Sequence, residues 1–209
     1  MKLEALRGQL GYQGTLLGVA ALLTSAALAL ASGATEEGIA AAQAEDLKQS
    51  LAQVLPGRYD NDLTRDTVTL NGPDGEVKVY RARRAGQVAA VVFQVSGPGY
   101  AGPIACMMGV DRDGRVLGVR VIAHKETPGL GDKIEPAKDP WIHSFEGKSF
   151  GAPPEDKWAV KKDGGVFDQF AGATITPRGV VRAVKGGLVF FAREKARLLD
   201  EQRLAEVKP

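Results

Sequence analysis

The sequence predicts an α+β protein: an N-terminal transmembrane helix followed by one exported domain, a twisted antiparallel sheet with flanking helices. Three observations predict it. Residues 8–35 carry no charge, five short apolar or alternating runs follow between turn signals, and apolar residues beyond Pro177 recur at helical spacing.

The uncharged stretch is densest from Leu16 to Ala31. At 1.5 Å per residue, a helix from Leu10 to Ala31 spans roughly 33 Å, enough to cross a hydrocarbon core. The small residues near 27–31 also resemble a signal-peptide cleavage site, but the apolar stretch exceeds the usual signal core and favours a retained anchor. Lys2 and Arg7 precede it and Glu36 and Glu37 follow. The positive-inside rule then places the N-terminus in the cytoplasm and the main domain outside, which in a bacterium is the periplasmic face of the inner membrane. The expected divisions are a cytoplasmic N-terminus (1–8), a single-pass anchor (9–31), a connecting helix (32–57), the main domain (58–200) and a tail (201–209). Within the anchor, Gly11, Gly14 and Gly18 approximate the small-residue spacing that allows close helix contact.

Glu36 to Val54 reads as helix, stopped by Pro56-Gly57. Thr67–Leu70, Val77–Arg81 and Val88–Val95 read as strands, divided by Asn71–Gly75 and by Ala85-Gly86. Ile104–Val110 and Val116–Ala123 flank Asp111-Arg112-Asp113-Gly114, a hairpin signal. Residues 125–165 read as loop, rich in Gly, Pro and Lys. From Pro177 to about Leu199, Val180, Val181, Val184, Leu188, Phe191 and Leu198 recur near the 3.6 period.

Composition removes several function classes. The 209 residues hold 27 Lys+Arg against 25 Asp+Glu, a net of +2, and only 6% aromatics, so there is no general footprint for nucleic acid. The single cysteine, Cys106, precludes an internal disulfide or a Cys-cluster metal site in this chain, and reads as a packed core thiol. Two histidines, His124 and His143, offer little for a metal centre, and no metal is expected.

The segment richest in chemistry is Phe167–Arg178. Pro177 is suited to the first helical position with Thr176 as N-cap. Thr174 then stands just before a helix N-terminus, where free backbone N–H groups favour an anion. Gly172 and Ala173 let another molecule approach the backbone closely. Spacing alone leaves two readings open: an ordinary Gly-Ala turn with a capping threonine, or a hydroxyl presented to a phosphate-bearing group.

The run Asp168-x-x-x-Gly172-Ala173-Thr174 resembles the acceptor motif of flavin transferases, with Ala171 where the common form has Ser or Thr. Gly99-Tyr100-Ala101-Gly102-Pro103-Ile104 and His124-Lys125-Glu126-Thr127-Pro128-Gly129-Leu130-Gly131 fit the same family. Together with the anchor, they resemble the G component of the Rnf electron transport complex, a relative of the C component of the sodium-pumping NADH:quinone reductase. The resemblance spans the anchor and residues from about 97 to 190.

The resemblance implies an electron-carrier subunit of a membrane complex that couples NADH–ferredoxin electron transfer to ion movement. FMN would be joined through its phosphate to Thr174, with a flavin transferase and FAD as donor. Asp168, Gly172 and Ala173 would be recognised by that transferase, and Thr176 is the second-choice acceptor. Glu126, Thr127, Pro128, Gly129, Leu130, Gly131, Thr176 and Arg178 are the expected cofactor contacts, with Arg178 helping to hold the phosphate. Tyr100 and Trp141 read as core residues that could otherwise stack on the ring, and His124 as a strand-end residue near the site. Lys161, Lys162 and Asp163 read as a solvated turn. Neither NADH nor ferredoxin is expected to bind this chain, which lacks a dinucleotide Gly-x-Gly-x-x-Gly unit. The competing readings are the equivalent subunit of the quinone-reducing pump, a membrane-anchored module without a redox group, and a threonine-nucleophile hydrolase.

Overall fold

The computed structural model describes residues 10–72 and 75–200. Expectations that fall on residues 1–9, 73–74 and 201–209, including Lys2, Arg7 and the C-terminal tail, lie outside the described residues. Helix α1 (Leu10–Val54) is followed by five strands, β1 (Thr67–Gly72), β2 (Gly75–Arg84), β3 (Gln87–Pro98), β4 (Pro103–Asp111) and β5 (Val116–Ala123), and helix α2 (Ile175–Leu198) closes the order. The chain divides into two compact units between Leu47 and Lys48.

The unit up to Leu47 is helical from Leu10, a single element where the sequence suggests an anchor and a separate connecting helix. Gly11–Glu36 is long and apolar enough to cross a membrane. Its leucines at 16, 17, 22, 23, 28 and 30 are all exposed. Among the described residues, nothing outside the helix lies within 4 Å of a Cβ built on Gly11, Gly14 or Gly18.

The second unit begins with the last turns of α1. Its sheet has the order β1-β2-β3-β4-β5, each neighbouring pair antiparallel, as the five runs predict. The turns follow from local chemistry. Ala85 and Gly86 both take positive φ (51° and 80°), the conformation a two-residue hairpin between right-twisted strands requires. The Asp111 side chain accepts from the N–H groups of Asp113 and Arg115 and so closes the β4–β5 turn.

Both sheet faces are covered. Phe93, Ile104, Cys106, Met108 and Val110 join Val180, Val184, Leu188 and Phe191 of α2 in one apolar cluster. All six apolar positions predicted for this helix are buried. Each such side chain contributes about 1.5–3 kcal/mol when fully buried, so this stripe is what holds α2 to the sheet. Cys106 lies in the cluster, and burial pushes its thiol up to about 12. Across the sheet, Leu51, Val54 and Leu55 are buried, and Val54 approaches the backbone of Gly109 and Gly118 too closely for a Cβ at either position.

Residues 125–170 are more ordered than the predicted loop. Short 3-10 turns at Gly131–Ile134, Pro140–Phe145, Glu155–Lys157 and Lys161–Asp163 bring Trp141, Phe145, Trp158, Phe167 and Phe170 into the core. Phe145 stacks on Phe167 at 4.6 Å, and Trp141 meets Phe145 and Phe170 edge-on. At the other end of the sheet, Asp66 is buried between two guanidinium groups. Its carboxylate takes Arg81 Nε at 2.7 Å and Arg83 Nε at 2.5 Å, while Arg81 Nη1 donates to the Asp200 carbonyl.

Candidate functional site

Three segments meet at Glu126 and Thr176, two residues beyond Thr174. One is the β3–β4 connection at Gly99–Gly102, the second follows β5 from His124 to Gly131, and the third leads through Gly172 into α2.

Helix α2 starts earlier than the sequence suggests. Its first residue is Ile175, and Thr174 holds the N-cap place: the Thr174 carbonyl accepts from Arg178 N at 3.3 Å. Pro177 is therefore the third helical residue, still in the first turn, where a missing N–H costs nothing. The expected capping role of Thr176 is corrected. Thr176 is inside the helix, 1% exposed, and its hydroxyl donates to Glu126 Oε2. That hydroxyl is therefore buried and already engaged. Thr174 is half-buried and its side chain makes no capping bond. Its hydroxyl therefore sits beside the unpaired first-turn N–H groups of α2 without being spent on them.

Glycines clear the space for this arrangement. Gly172 takes φ +77°, a backbone conformation that suits glycine, and a Cβ there would meet only Leu130 Cδ2 at 3.9 Å. Gly97 and Gly179 let β3 and α2 touch backbone to backbone: a Cβ on Gly179 would run into the Pro98 carbonyl.

Glu126 is the polar hub. It is 5% exposed, and Oε1 accepts from Tyr100 N at 2.9 Å and Ala101 N at 3.2 Å while Oε2 takes the Thr176 hydroxyl. Its own N–H donates to His124 Nδ1, so the His124 proton sits on Nε2, which donates to Glu135 Oε1 at 3.0 Å. Thr127 contributes its carbonyl, which accepts from Leu130 N and Gly131 N and tightens the Pro128–Gly129 turn. Lys138 Nζ clamps the far side at 2.8 Å from Asp132 and 3.0 Å from Glu135. This ammonium is the main cause of both carboxyls lying below their ordinary range, and they in turn raise it.

Other expected residues fall out differently. Tyr100 is 72% exposed and is not core; Leu130, beside Gly172, and Ile175, next to Thr174, are exposed as well. Trp141 is core, and its Nε1 donates to the Asp168 carbonyl. That bond fixes the Asp168 backbone while its carboxylate stays exposed and pairs with Lys161 at 2.5 Å. Arg178 makes two 2.6 Å bonds to Asp163, so the guanidinium expected to face a phosphate is already paired. Lys161 and Asp163, read as a solvated turn, thus tie this turn to Asp168 and to α2. The two pairs stand 7 and 15 residues apart, at no common spacing, so the sequence carries no signal for them. Ala173 is half-buried against the core cluster. Among the described residues, no three His, Cys, Asp or Glu side chains stand together to hold a metal ion.

A groove of about 400 Å³ lies elsewhere, between β2, β3 and α2, with Phe93, Arg182 and Phe190 among its walls. The site at Thr174 is instead an open corner: a hydroxyl at a helix start, flanked by small residues and exposed apolar surface. These residues fit a flat, phosphate-bearing ligand.

Comparison with known proteins gives the family. The FMN-binding domain family matches residues 99–189, which contain all three segments. The chain is 55% identical to the G component of the ion-translocating oxidoreductase complex of Cereibacter sphaeroides, over 89% of this chain and 86% of that one. It is 51% identical to the corresponding G component of Pseudomonas aeruginosa, over 91% and 92% of the two chains. Among solved structures, NqrC of Shewanella oneidensis aligns with a TM-score of 0.46 and 26% identity, over 66% of this chain and 74% of that one. The chain belongs to the family of G components of ion-translocating oxidoreductase complexes and carries an FMN-binding domain.

Proposed function

We propose that this chain is the electron-carrier subunit of a membrane-bound Rnf-type complex, and that its FMN is esterified through the phosphate to Thr174. The observation that carries the reading is the Thr174 hydroxyl, free of capping duty at the start of α2 inside the matched FMN-binding domain. FMN supplies one- and two-electron redox chemistry when bound; the chain supplies position, charge and shielding.

In maturation, the Thr174 oxygen attacks the riboflavin-side phosphorus of FAD. A new P–O bond forms, the pyrophosphate P–O bond breaks, AMP leaves, and the threonine proton passes to solvent or to a base of the flavin transferase. The product is a phosphodiester with one negative charge, which the N-terminus of α2 favours by about 0.3–1 kcal/mol. The exposed carboxylate of Asp168, with Gly172 and Ala173, supports recognition by the transferase. The Thr127–Gly131 turn and Leu130 line the corner where the ring would rest.

The apolar helix Gly11–Glu36 supports a single-pass anchor, and the charges before and after it support an N-terminus in the cytoplasm and a periplasmic main domain. In this reading the anchor ends near residue 31, a connecting segment runs to residue 57 with its helix stopping at Val54, and the FMN domain covers 58–200. A single helix cannot form an ion path, so the Gly11–Gly14–Gly18 stripe would face multi-span partner proteins of the complex. Denaturing gels test the central point. The wild-type band, made with a competent transferase, should fluoresce yellow-green under ultraviolet light and the Thr174→Ala band should be dark; a dark wild type refutes the reading.

A further inference from the structure

We infer that Glu126 is the positioning residue of this flavin site: its buried carboxylate fastens the Tyr100 loop and the Leu130 loop to the helical turn that presents Thr174. The inference rests on the functional reading above and assigns Glu126 a task other than contact with the cofactor.

The carboxylate is fully engaged with the protein. Oε1 takes the N–H groups of Tyr100 and Ala101, and Oε2 takes the hydroxyl of Thr176, two residues beyond the acceptor. Among the described residues no lysine or arginine is paired with it, so these three donors are what make its burial tolerable. The surrounding backbone is cleared for it. A Cβ on Gly99 would run into Oε1, and a Cβ on Gly131 would lie 2.9 Å from Oε2 and 2.7 Å from the Thr176 hydroxyl oxygen. Two glycines in two different loops thus make room for one side chain. Apolar packing alone would let the loops slide; directed bonds to a single carboxylate fix their spacing from α2. That spacing sets the corner between Tyr100, Leu130 and Thr174, and supporting hydrogen bonds of this kind hold a site to a fraction of an ångström.

The test uses full-length protein matured in a host with its transferase, as wild type, Glu126→Ala and Thr176→Val. Amide hydrogen exchange at Tyr100 and Ala101 reads the tie directly, and the fluorescence anisotropy decay of attached flavin reads its consequence. Glu126→Ala should speed exchange at both amides by at least about tenfold. Thr176→Val, which keeps shape and removes the hydroxyl, should leave those amides protected while raising the fast-tumbling share of attached flavin several-fold. Unchanged amide exchange in Glu126→Ala, or a wild-type anisotropy decay in Thr176→Val, overturns the inference. Should Glu126→Ala fail to fold, Glu126→Asp, which draws the same carboxylate back by one methylene, must expose the same two amides. A wild type without flavin refutes the functional reading, while the amide experiment still judges the tie.

Discussion

The Arg178 guanidinium faces the Asp163 carboxylate edge to edge, with Nε and Nη2 each 2.6 Å from a carboxylate oxygen. The pair ties the first turn of α2 to the 3-10 turn Lys161–Asp163, and it holds the Asp163 carboxyl below its ordinary value. Because Arg178 is committed to Asp163 and the proposed link at Thr174 is covalent, Arg178→Ala should leave the fraction of flavin-bearing protein unchanged in intact-mass spectra. A large drop would mean that Arg178 serves the phosphate instead.

Close backbone approach makes two glycines of α2 behave oppositely. A Cβ on Gly179 collides with the Pro98 carbonyl, which is main chain and cannot step aside, so Gly179→Ala should destabilise the fold by about 1–3 kcal/mol. A Cβ on Gly186 meets nothing within 4 Å, and there alanine should stabilise by about 0.5–1 kcal/mol through helix propensity. Thermal melting in detergent compares the two.

Asp66 offers a larger effect. Its carboxylate is buried against Arg81 and Arg83, which are 1% and 7% exposed. Asp66→Ala would leave two guanidinium groups buried without their counter-charge, and should cost about 3–5 kcal/mol. Chemical denaturation measures it; a change near zero would mean that water reaches the arginines.

The Asp132–Lys138–Glu135 clamp gives a pH dependence with a defined sign. Lys138, ahead of the Gly129 N–H for Asp132 and ahead of His124 for Glu135, lowers both carboxyls from ordinary values of 3.8 and 4.5. Their contribution is present above those ordinary values and fades as pH falls through the lowered native ones. Lys138, raised from 10.5 chiefly by Asp132, contributes below that value and loses its contribution as pH rises through its native one. Lys138→Met should therefore flatten the fall in melting temperature as pH drops from about 5 towards 2. Parallel curves for variant and wild type would contradict the clamp.

Cys106 is fully buried and its thiol pushed up to about 12, so a maleimide at pH 8 should label it only after unfolding.

Much of the sheet was legible in the sequence because its cues are local. Each strand alternates or runs apolar within a few residues, and Ala85-Gly86 and Asp111–Gly114 supply turns that set the register. The stripe of α2 was legible by its period, though its start lies two residues before Pro177 because Thr174, not Thr176, closes the first turn. The aromatic core of residues 125–170 escaped, since 3-10 turns of three to six residues carry too short a period to read. Its only signal was the concentration of Trp and Phe in a Gly- and Pro-rich stretch. The ties at Glu126, Arg178 and Asp66 join residues 15 to 50 apart in the chain, so only the folded arrangement shows them.

The most direct test is the mass of the peptide containing Thr174, cut from protein matured in its native host. The account predicts an increment of one FMN less one water, localised to Thr174 by fragmentation and absent from Thr174→Ala. A peptide at its unmodified mass, or an increment carried by another residue, would contradict it.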